Sequence, residues 1–219
     1  MIDSVCEGVI FMELLPEIRD VMEEYKEMQF MYRSALKTLK ARLDILNDEF
    51  QYIHNYNPIE IIKTRVKTEE SIIRKLQMKG LSITLEHIKR EIDDIAGVRV
   101  ICSYTSDIYR IVDMISRQQD IEIMRVKDYY LDPKPSGYRS YHMIVAVPIY
   151  LTERPVKVKV EVQVCTRAMD TWTNLENKVF YQYEGQPPVH LRKDLRECAD
   201  MIYYLDTKLL EIKEDISEV

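Results

Sequence analysis

The strand-like run from Val156 to Val164 carries the residues best spaced for chemistry. Valines at 156, 158, 160, 162 and 164 alternate with Lys157, Lys159, Glu161 and Gln163. Side chains on a strand point alternately to its two faces, so same-face neighbours sit about 6.6 Å apart. One face is therefore apolar. The other lines up a cation, a carboxylate and an amide, a floor suited to a charged ligand. A carboxylate among buried valines needs a partner or a metal. Asp94, just ahead of the apolar stretch near Gly97, is the second candidate acid, although an Asp at a strand start also serves as a cap or turn residue. Mg²⁺ takes one or two carboxylates and completes its shell with phosphate oxygens and water.

Phosphates, if bound, must be held by side chains. The five glycines, at 8, 80, 97, 137 and 185, fit neither a GxxxxGK[ST] nor a GxGxxG loop. Cations recur at useful spacings instead. Arg65 and Lys67 share a face if extended, Ser71 and Lys75 share one on a helix, and Arg125 and Lys127 share one on a strand. Converging Arg and Lys side chains clamp phosphate, and a solvated charged surface is the plain alternative for any one of them. Tyr138, Ser140 and His142 alternate after Gly137, where the Tyr138 ring can stand free as a stacking platform or close the core.

These groups need a scaffold. The 219 residues suit one medium domain with helical extensions, and 46% hydrophobic content suffices for a core. A net charge of −6 weighs against non-specific nucleic-acid binding. Within that acidic chain, Lys63, Arg65, Lys67, Arg74, Lys75 and Lys79 form a local basic stretch that suits an anionic small molecule. Cys6, Cys102, Cys165 and Cys198 are scattered without metal spacing, which fits a reducing cytoplasm. No apolar run is long enough to span a membrane and no signal peptide is visible.

Periodicity predicts two helices over 10–53, one through Leu14, Leu15, Ile18, Val21, Met22 and Tyr25, the next through Ala35, Leu36, Leu39, Leu43 and Leu46. Asn55-Tyr-Asn-Pro58 ends them. Thr68 caps a helix that Gly80 closes, and a short helix follows over 84–92. Gly97–Ser103, 121–127, 140–149 and 156–164 read as strands, and 106–118, 166–182 and 191–216 as helices. The expectation is an α+β fold: a mixed sheet of about five strands, nucleotidyltransferase-like, with helices on its apolar side. The expected division is a helical segment 1–56, a catalytic core 57–183 and a C-terminal helix 184–219.

Six segments stand in a telling order: Arg65-Val-Lys67 through Ser71 to Lys75; Asp94-Ile-Ala-Gly-Val-Arg99; Arg125-Val-Lys127-Asp128-Tyr129; Pro133-Lys-Pro-Ser-Gly-Tyr-Arg-Ser-Tyr-His142; Glu161-Val-Gln163; and Ala168-Met-Asp-Thr-Trp-Thr-Asn-Leu-Glu176. Each is weak alone. Together, over about 55–183, they resemble the synthetase domain of the RelA/SpoT family. The length and framing helices are similar to its stand-alone members, the small alarmone synthetases.

The resemblance implies transfer of pyrophosphate from ATP to the 3′-hydroxyl of GDP or GTP, giving AMP and ppGpp or pppGpp, with GMP a further candidate acceptor. It implies that Arg65, Lys67, Ser71, Lys75, Arg99, Arg125 and Lys127 surround ATP. Asp94 and Glu161 would hold Mg²⁺, with Glu161 also taking the 3′-hydroxyl proton. Lys134, Ser136, Tyr138, His142, Gln163 and Asp170 would meet the acceptor, Tyr138 by stacking on guanine. It further implies a cytoplasmic homo-oligomer, a tetramer, with no membrane or DNA partner; RNA binding is open but has no supporting motif. No hydrolase activity is expected, since none of His54, His87, His142 and His190 is followed by Asp.

Three positions depart from the family pattern: Ser136 for Asn, Cys165 for Arg and Asn177 for His. The alternation places Cys165 on the polar face, where Lys157 or Lys159 can activate a rim-facing thiol, against the plain reading of a buried one. The competing functions are a non-catalytic alarmone- or RNA-binding regulator and a nucleotidyltransferase that releases free pyrophosphate.

Overall fold

The computed structural model describes the backbone of residues 3–217 and the side chains of 22–216. Leu14, Leu15, Ile18 and Val21, assigned above to the first helix, and Cys6 lie outside the described side chains. The elements are α1 (Asp3–His54), β1 (Ile61–Val66), α2 (Glu69–Met78), α3 (Leu85–Glu91), β2 (Ala96–Cys102), α4 (Thr105–Ser116), β3 (Glu122–Asp128), β4 (Tyr141–Tyr150), β5 (Pro155–Thr166), α5 (Arg167–Gln182) and α6 (Val189–Ser217).

The two helices expected over 10–53 are one, α1, which runs 52 residues. No Gly or Pro lies between Tyr25 and Ala35 to interrupt it, and Met28 and Tyr32 carry the buried stripe across that stretch. It stops at Asn55, which takes a left-handed φ of 51°. Met22, assigned to the apolar stripe, is 52% exposed. Farther along, Ala35, Leu36, Leu39 and Leu43 are buried and join Val160, Val162 and Val164 of β5 in the main core.

The mixed sheet has the order β1-β2-β5-β4-β3, parallel between β2 and β5 and antiparallel elsewhere. α1 lies across β1, β2, β5 and β4. β5 follows the alternation read from the sequence: Val158, Val160, Val162 and Val164 are buried, while Lys159, Glu161 and Gln163 stay half-exposed on the other face. β1 was anticipated only as an extended stretch; it pairs antiparallel with β2.

The register places the chemistry. Lys63 pairs with Arg99, Arg99 with Gln163, Gln163 with His142 and His142 with Lys127, so one transverse row crosses all five strands. The adjacent row reads Arg65, Gly97, Glu161, Ile144 and Arg125. Residues opposite each other in a ladder point to the same face, so both rows look away from the valine core.

Candidate active site

From the two rows, Arg65, Arg99, Arg125, Lys127, His142, Ile144, Glu161 and Gln163 line a cavity of about 490 Å³, and Lys63 and Gly97 line one of about 260 Å³ that shares Arg65, Arg99, Glu161 and Gln163 with it. The α2 side and the α3–β2 turn contribute Lys75, Lys79, Asp93 and Asp94 to the wall of the larger cavity, and α5 contributes Thr173, Glu176 and Asn177. Gly97 makes room in the floor: a Cβ there would lie 3.3 Å from Arg65 Nε.

Asp94 is buried at the mouth of β2. Its Oδ2 accepts from Lys67 Nζ and its Oδ1 from Lys75 Nζ, each at 2.8 Å. Burial works to raise its pKa, but the two lysines outweigh burial and hold it down at about 2. Asp93, one residue earlier, accepts from Arg125 at 2.8 Å and Lys159 at 3.0 Å. Two consecutive carboxylates thus gather four cations, one just past the end of β1 and the others from α2, β3 and β5.

Glu161 sits in mid-floor. Gln163 Nε2 donates to its Oε2 at 2.8 Å, and His142 Nδ1 lies 3.3 Å from its Oε1. Burial favours the neutral acid, but the contact with His142 prevails and keeps the Glu161 pKa below its ordinary value. An ionised carboxylate only accepts, so His142 Nδ1 carries the proton toward it. In the neutral tautomer Nε2 then accepts from the Tyr138 hydroxyl, 2.8 Å away. Burial pushes that phenol up to about 12, so it remains a donor at neutral pH. A chain Tyr138–His142–Glu161 results.

The Asp94 and Glu161 carboxylates face one cavity closely enough that the charge of Asp94 acts on Glu161. Two carboxylates suit a hard dication such as Mg²⁺. Among the described residues no group of three His, Cys, Asp or Glu converges on one point, so this pair fits a Mg²⁺ whose remaining ligands are nucleotide oxygens and water.

The expectation of a free-standing Tyr138 ring needs correction. The ring is 7% exposed and packs with Trp172, Leu195 and Ala199. Gly137, with φ 93°, allows this: a Cβ there would meet Ala199 Cβ at 2.5 Å. Lys134 Nζ lies 4.6 Å from the Tyr138 ring centroid and 4.9 Å from that of Tyr129, so a cation covers the ring's open side.

Arg65, Lys75, Arg99, Arg125 and Lys127 line the cavity together with Lys134, His142 and Gln163. Four assigned residues do not line it. Lys67 reaches the site only through Asp94. Ser71 accepts from Thr68 Oγ1 at 3.0 Å. Ser136 lies beside Glu176. Asp170 is buried and spends its oxygens on Lys63 at 2.6 Å and Arg99 at 2.8 Å, so it orients that guanidinium from behind. Arg99 also donates to Gln163 Oε1 at 2.9 Å.

Cys165 is 3% exposed and joins the main core. Burial raises its pKa to about 12. The rim-facing, activated thiol is therefore wrong. Lys159, which might have activated it, is bound to Asp93, and Lys157 to Glu122. Glu91, Asp93, Tyr129 and Glu176 line the cavity without having been assigned to the site from the sequence; Tyr129 and Glu176 close two of the six segments, and Glu91 and Asp93 lie outside them.

Residues 64–186 match the model of the region found in RelA / SpoT proteins. The chain is 44% identical over 202 residues to the GTP pyrophosphokinase YwaC of Bacillus subtilis, covering 92% of this chain and 96% of that protein. Its fold matches the small alarmone synthetase 2 of Bacillus subtilis with a TM-score of 0.80 at 42% identity, over 88% of this chain and 99% of the other. It also matches the small alarmone synthetase 1 of Bacillus subtilis bound to its product pppGpp, with a TM-score of 0.81 at 31% identity over 88% and 98% of the chains. The same protein bound to AMPCPP matches with a TM-score of 0.77 at 29% identity, over 90% and 100%.

Proposed function

The chain belongs to the RelA/SpoT family, and on that premise we propose how its cavity carries out GTP pyrophosphokinase chemistry. The acceptor's 3′-oxygen bonds to the β-phosphorus of ATP, the bond between that phosphorus and the oxygen bridging it to the α-phosphate breaks, and AMP leaves with that oxygen. The product is ppGpp from GDP or pppGpp from GTP. The observation that carries this reading is the pair of transverse rows, which puts Glu161 at the centre of a floor with cations at both edges.

Arg65, Lys75, Arg99, Arg125 and Lys127 hold the ATP phosphates, with Lys67 and Ser71 behind them. Pyrophosphoryl transfer is governed by positioning and charge neutralisation, which side chains fixed in a sheet register supply. Arg125 and Lys75 leave Asp93 and Asp94 to do so, and the lost ion pairs become contacts to the triphosphate. Lys134, Ser136, Tyr138, His142 and Gln163 take the acceptor. Asp170, placed above with the acceptor, acts through Arg99. A base entering over Tyr138 displaces Lys134 toward the acceptor's phosphates.

Asp94 and Glu161 would hold Mg²⁺, which when bound would offset the charge that builds on the transferred group. Glu161 accepts the 3′-hydroxyl proton. Its lowered pKa makes it a modest base that is fully ionised at neutral pH. His142, braced by Tyr138, fixes where its oxygens point.

The apolar residues left exposed on α6, among them Met201, Leu205, Leu209, Ile212 and Ile216, support a homotetramer built through its helices. Among the described residues no helix is long and apolar enough to cross a membrane, and a cytoplasmic setting fits the nucleotide substrates. The reading is tested by incubating the protein with labelled ATP, Mg²⁺ and each of GMP, GDP and GTP. AMP in equal amount to a phosphorylated guanosine is the expected product; ADP or free pyrophosphate as the stoichiometric product overturns it.

A further inference from the structure

Arg125 reaches the cavity from the edge of the sheet. β4 and β5 lie between its strand, β3, and β2. The ladder with β4 slips between Ile123 and Arg125. Such a bulge re-aims the side chains that follow it, so Arg125 and Lys127, in place of Met124, share the face of Glu161. About 14 Å, three strand spacings, separates β3 from β2. The Arg125 guanidinium closes that distance over β4 and β5 and meets Asp93, just ahead of β2, at 2.8 Å.

The two cations on Asp93 are held unequally. Lys159 is 20% exposed, and its Nζ donates both to Asp93 Oδ1 at 3.0 Å and to the Arg90 carbonyl at 3.1 Å. It is anchored to the end of α3. Arg125 is 61% exposed, and Asp93 is its only bonded partner among the described residues. When Arg125 leaves, Asp93 keeps Lys159, so no unpaired charge is stranded. An exposed ion pair contributes little in water, so the guanidinium can pass from one anion to another at small cost.

We propose that Asp93 is an internal stand-in for the β- and γ-phosphates of ATP and sets how tightly ATP is held. It holds Arg125 over the empty floor, yields it to the triphosphate, and reclaims it once those phosphates have gone. The inference rests on the ATP placement proposed above. There the 3′-hydroxyl meets Glu161, so the β-phosphorus lies over the row that ends in Arg125. AMP keeps neither of the phosphates that Arg125 would follow. A carboxylate and a phosphate offer a guanidinium the same paired oxygens, which is why one can hold the place of the other. Asp93 is not a third metal carboxylate in this scheme, because cations engage both of its oxygens.

The test is a double-mutant cycle. Asp93→Asn and Asp93→Ala are made in wild type and in Arg125→Ala, with thermal unfolding as the check on folding. AMPCPP, whose α–β bridge is not cleaved, and AMP are titrated by calorimetry. In the wild-type background both Asp93 variants are expected to bind AMPCPP about threefold to fivefold more tightly, the upper range for one exposed ion pair, and AMP as before. In the Arg125→Ala background the gain should fall below about 1.5-fold, since the group being competed for is absent. An equal gain with and without Arg125 is general charge repulsion and overturns the inference. Weaker AMPCPP binding in the Asp93 variants overturns it as well, and so does a gain for AMP as large as that for AMPCPP. Any of these results, with AMP still formed from ATP and GDP by the wild type, removes the role of Asp93 and leaves the pyrophosphokinase reading intact. The expected cycle without AMP formation does the reverse. A wild-type protein that binds no AMPCPP overturns both.

Discussion

The Tyr138 hydroxyl lies 2.8 Å from His142 Nε2, which makes the phenol part of the support for Glu161 as well as a ring near the acceptor. The two roles separate by mutation. Tyr138→Phe keeps the ring and its packing but leaves His142 Nε2 without a donor. It should lower kcat several-fold to about tenfold with little change in the acceptor KM, the size expected for losing one supporting hydrogen bond. Tyr138→Ala also opens the cluster with Trp172 and Leu195 and should destabilise the fold by about 3–5 kcal/mol while raising the acceptor KM. Steady-state kinetics with thermal unfolding separates them; equal kinetic damage from both changes removes the separate role of the ring.

Asp94→Asn and Glu161→Gln should each reduce turnover by a factor of about a thousand or more while the protein stays folded. Asp94→Asn leaves Lys67 and Lys75 without their shared anion, so nucleotide binding measured without Mg²⁺ should be unchanged or tighter. Retention of most of the wild-type rate by either variant rules out its assigned role.

Asp206 on α6 is 1% exposed, and its Oδ2 accepts from Thr166 Oγ1 at 2.7 Å. Burial raises its pKa from 3.8 to about 6, against the opposing effect of Thr166. Between those values the folded protein holds more protons than the unfolded chain, so this residue makes stability fall as pH rises from about 4 to 6, and the penalty is complete above 6. Asp206→Asn keeps an acceptor for Thr166 and removes the buried charge. It should stabilise the protein by about 1–3 kcal/mol at pH 7.5 and by much less at pH 4.5. Denaturant unfolding at the two pH values checks this; a gain of equal size at both would assign it to something other than ionisation.

A thiol reagent at pH 8 should label Cys198, which is half-exposed, and leave Cys165 and Cys102 unmodified in the folded protein. Burial puts the Cys165 thiol at about 12, so little thiolate forms and the reagent has little access. Mass spectrometry of the alkylated peptides is the readout. Modification of Cys165 at the rate of Cys198 would place the thiol at the surface.

Most strands and the floor of the site were legible because one rule, alternation, governs both. The valines of β5 mark the core face and so expose Glu161 and Gln163. β1 escaped because its residues are nearly all outside the core, with only Ile62 and Val66 half-buried, so no apolar face announced it. α1 reads as two helices because helices in globular domains average three to four turns, and nothing in the sequence states that a 52-residue helix has a whole sheet to lie across. Cys165 obeys the alternation, yet alternation gives a direction and not an exposure; what lies over the end of β5 is decided by α5 and α6. Tyr138 was misjudged for the same reason, since Leu195 and Ala199 arrive from a helix more than fifty residues away. Glu176 closes the sixth segment, but only the packing of α5 beside the sheet turns it to the cavity.

The two transverse rows also constrain how the chain can change its length. Deleting or inserting one residue inside β5 turns Glu161 and Gln163 into the valine core and brings valines to the floor. A change of two residues preserves facing but slides Glu161 out of line with Gly97 and Ile144. Loops between the strands carry no such restriction, so length variation among similar chains belongs in the connections, and the spacing from Glu161 to Gln163 or from Arg125 to Lys127 should be held as firmly as the residues themselves.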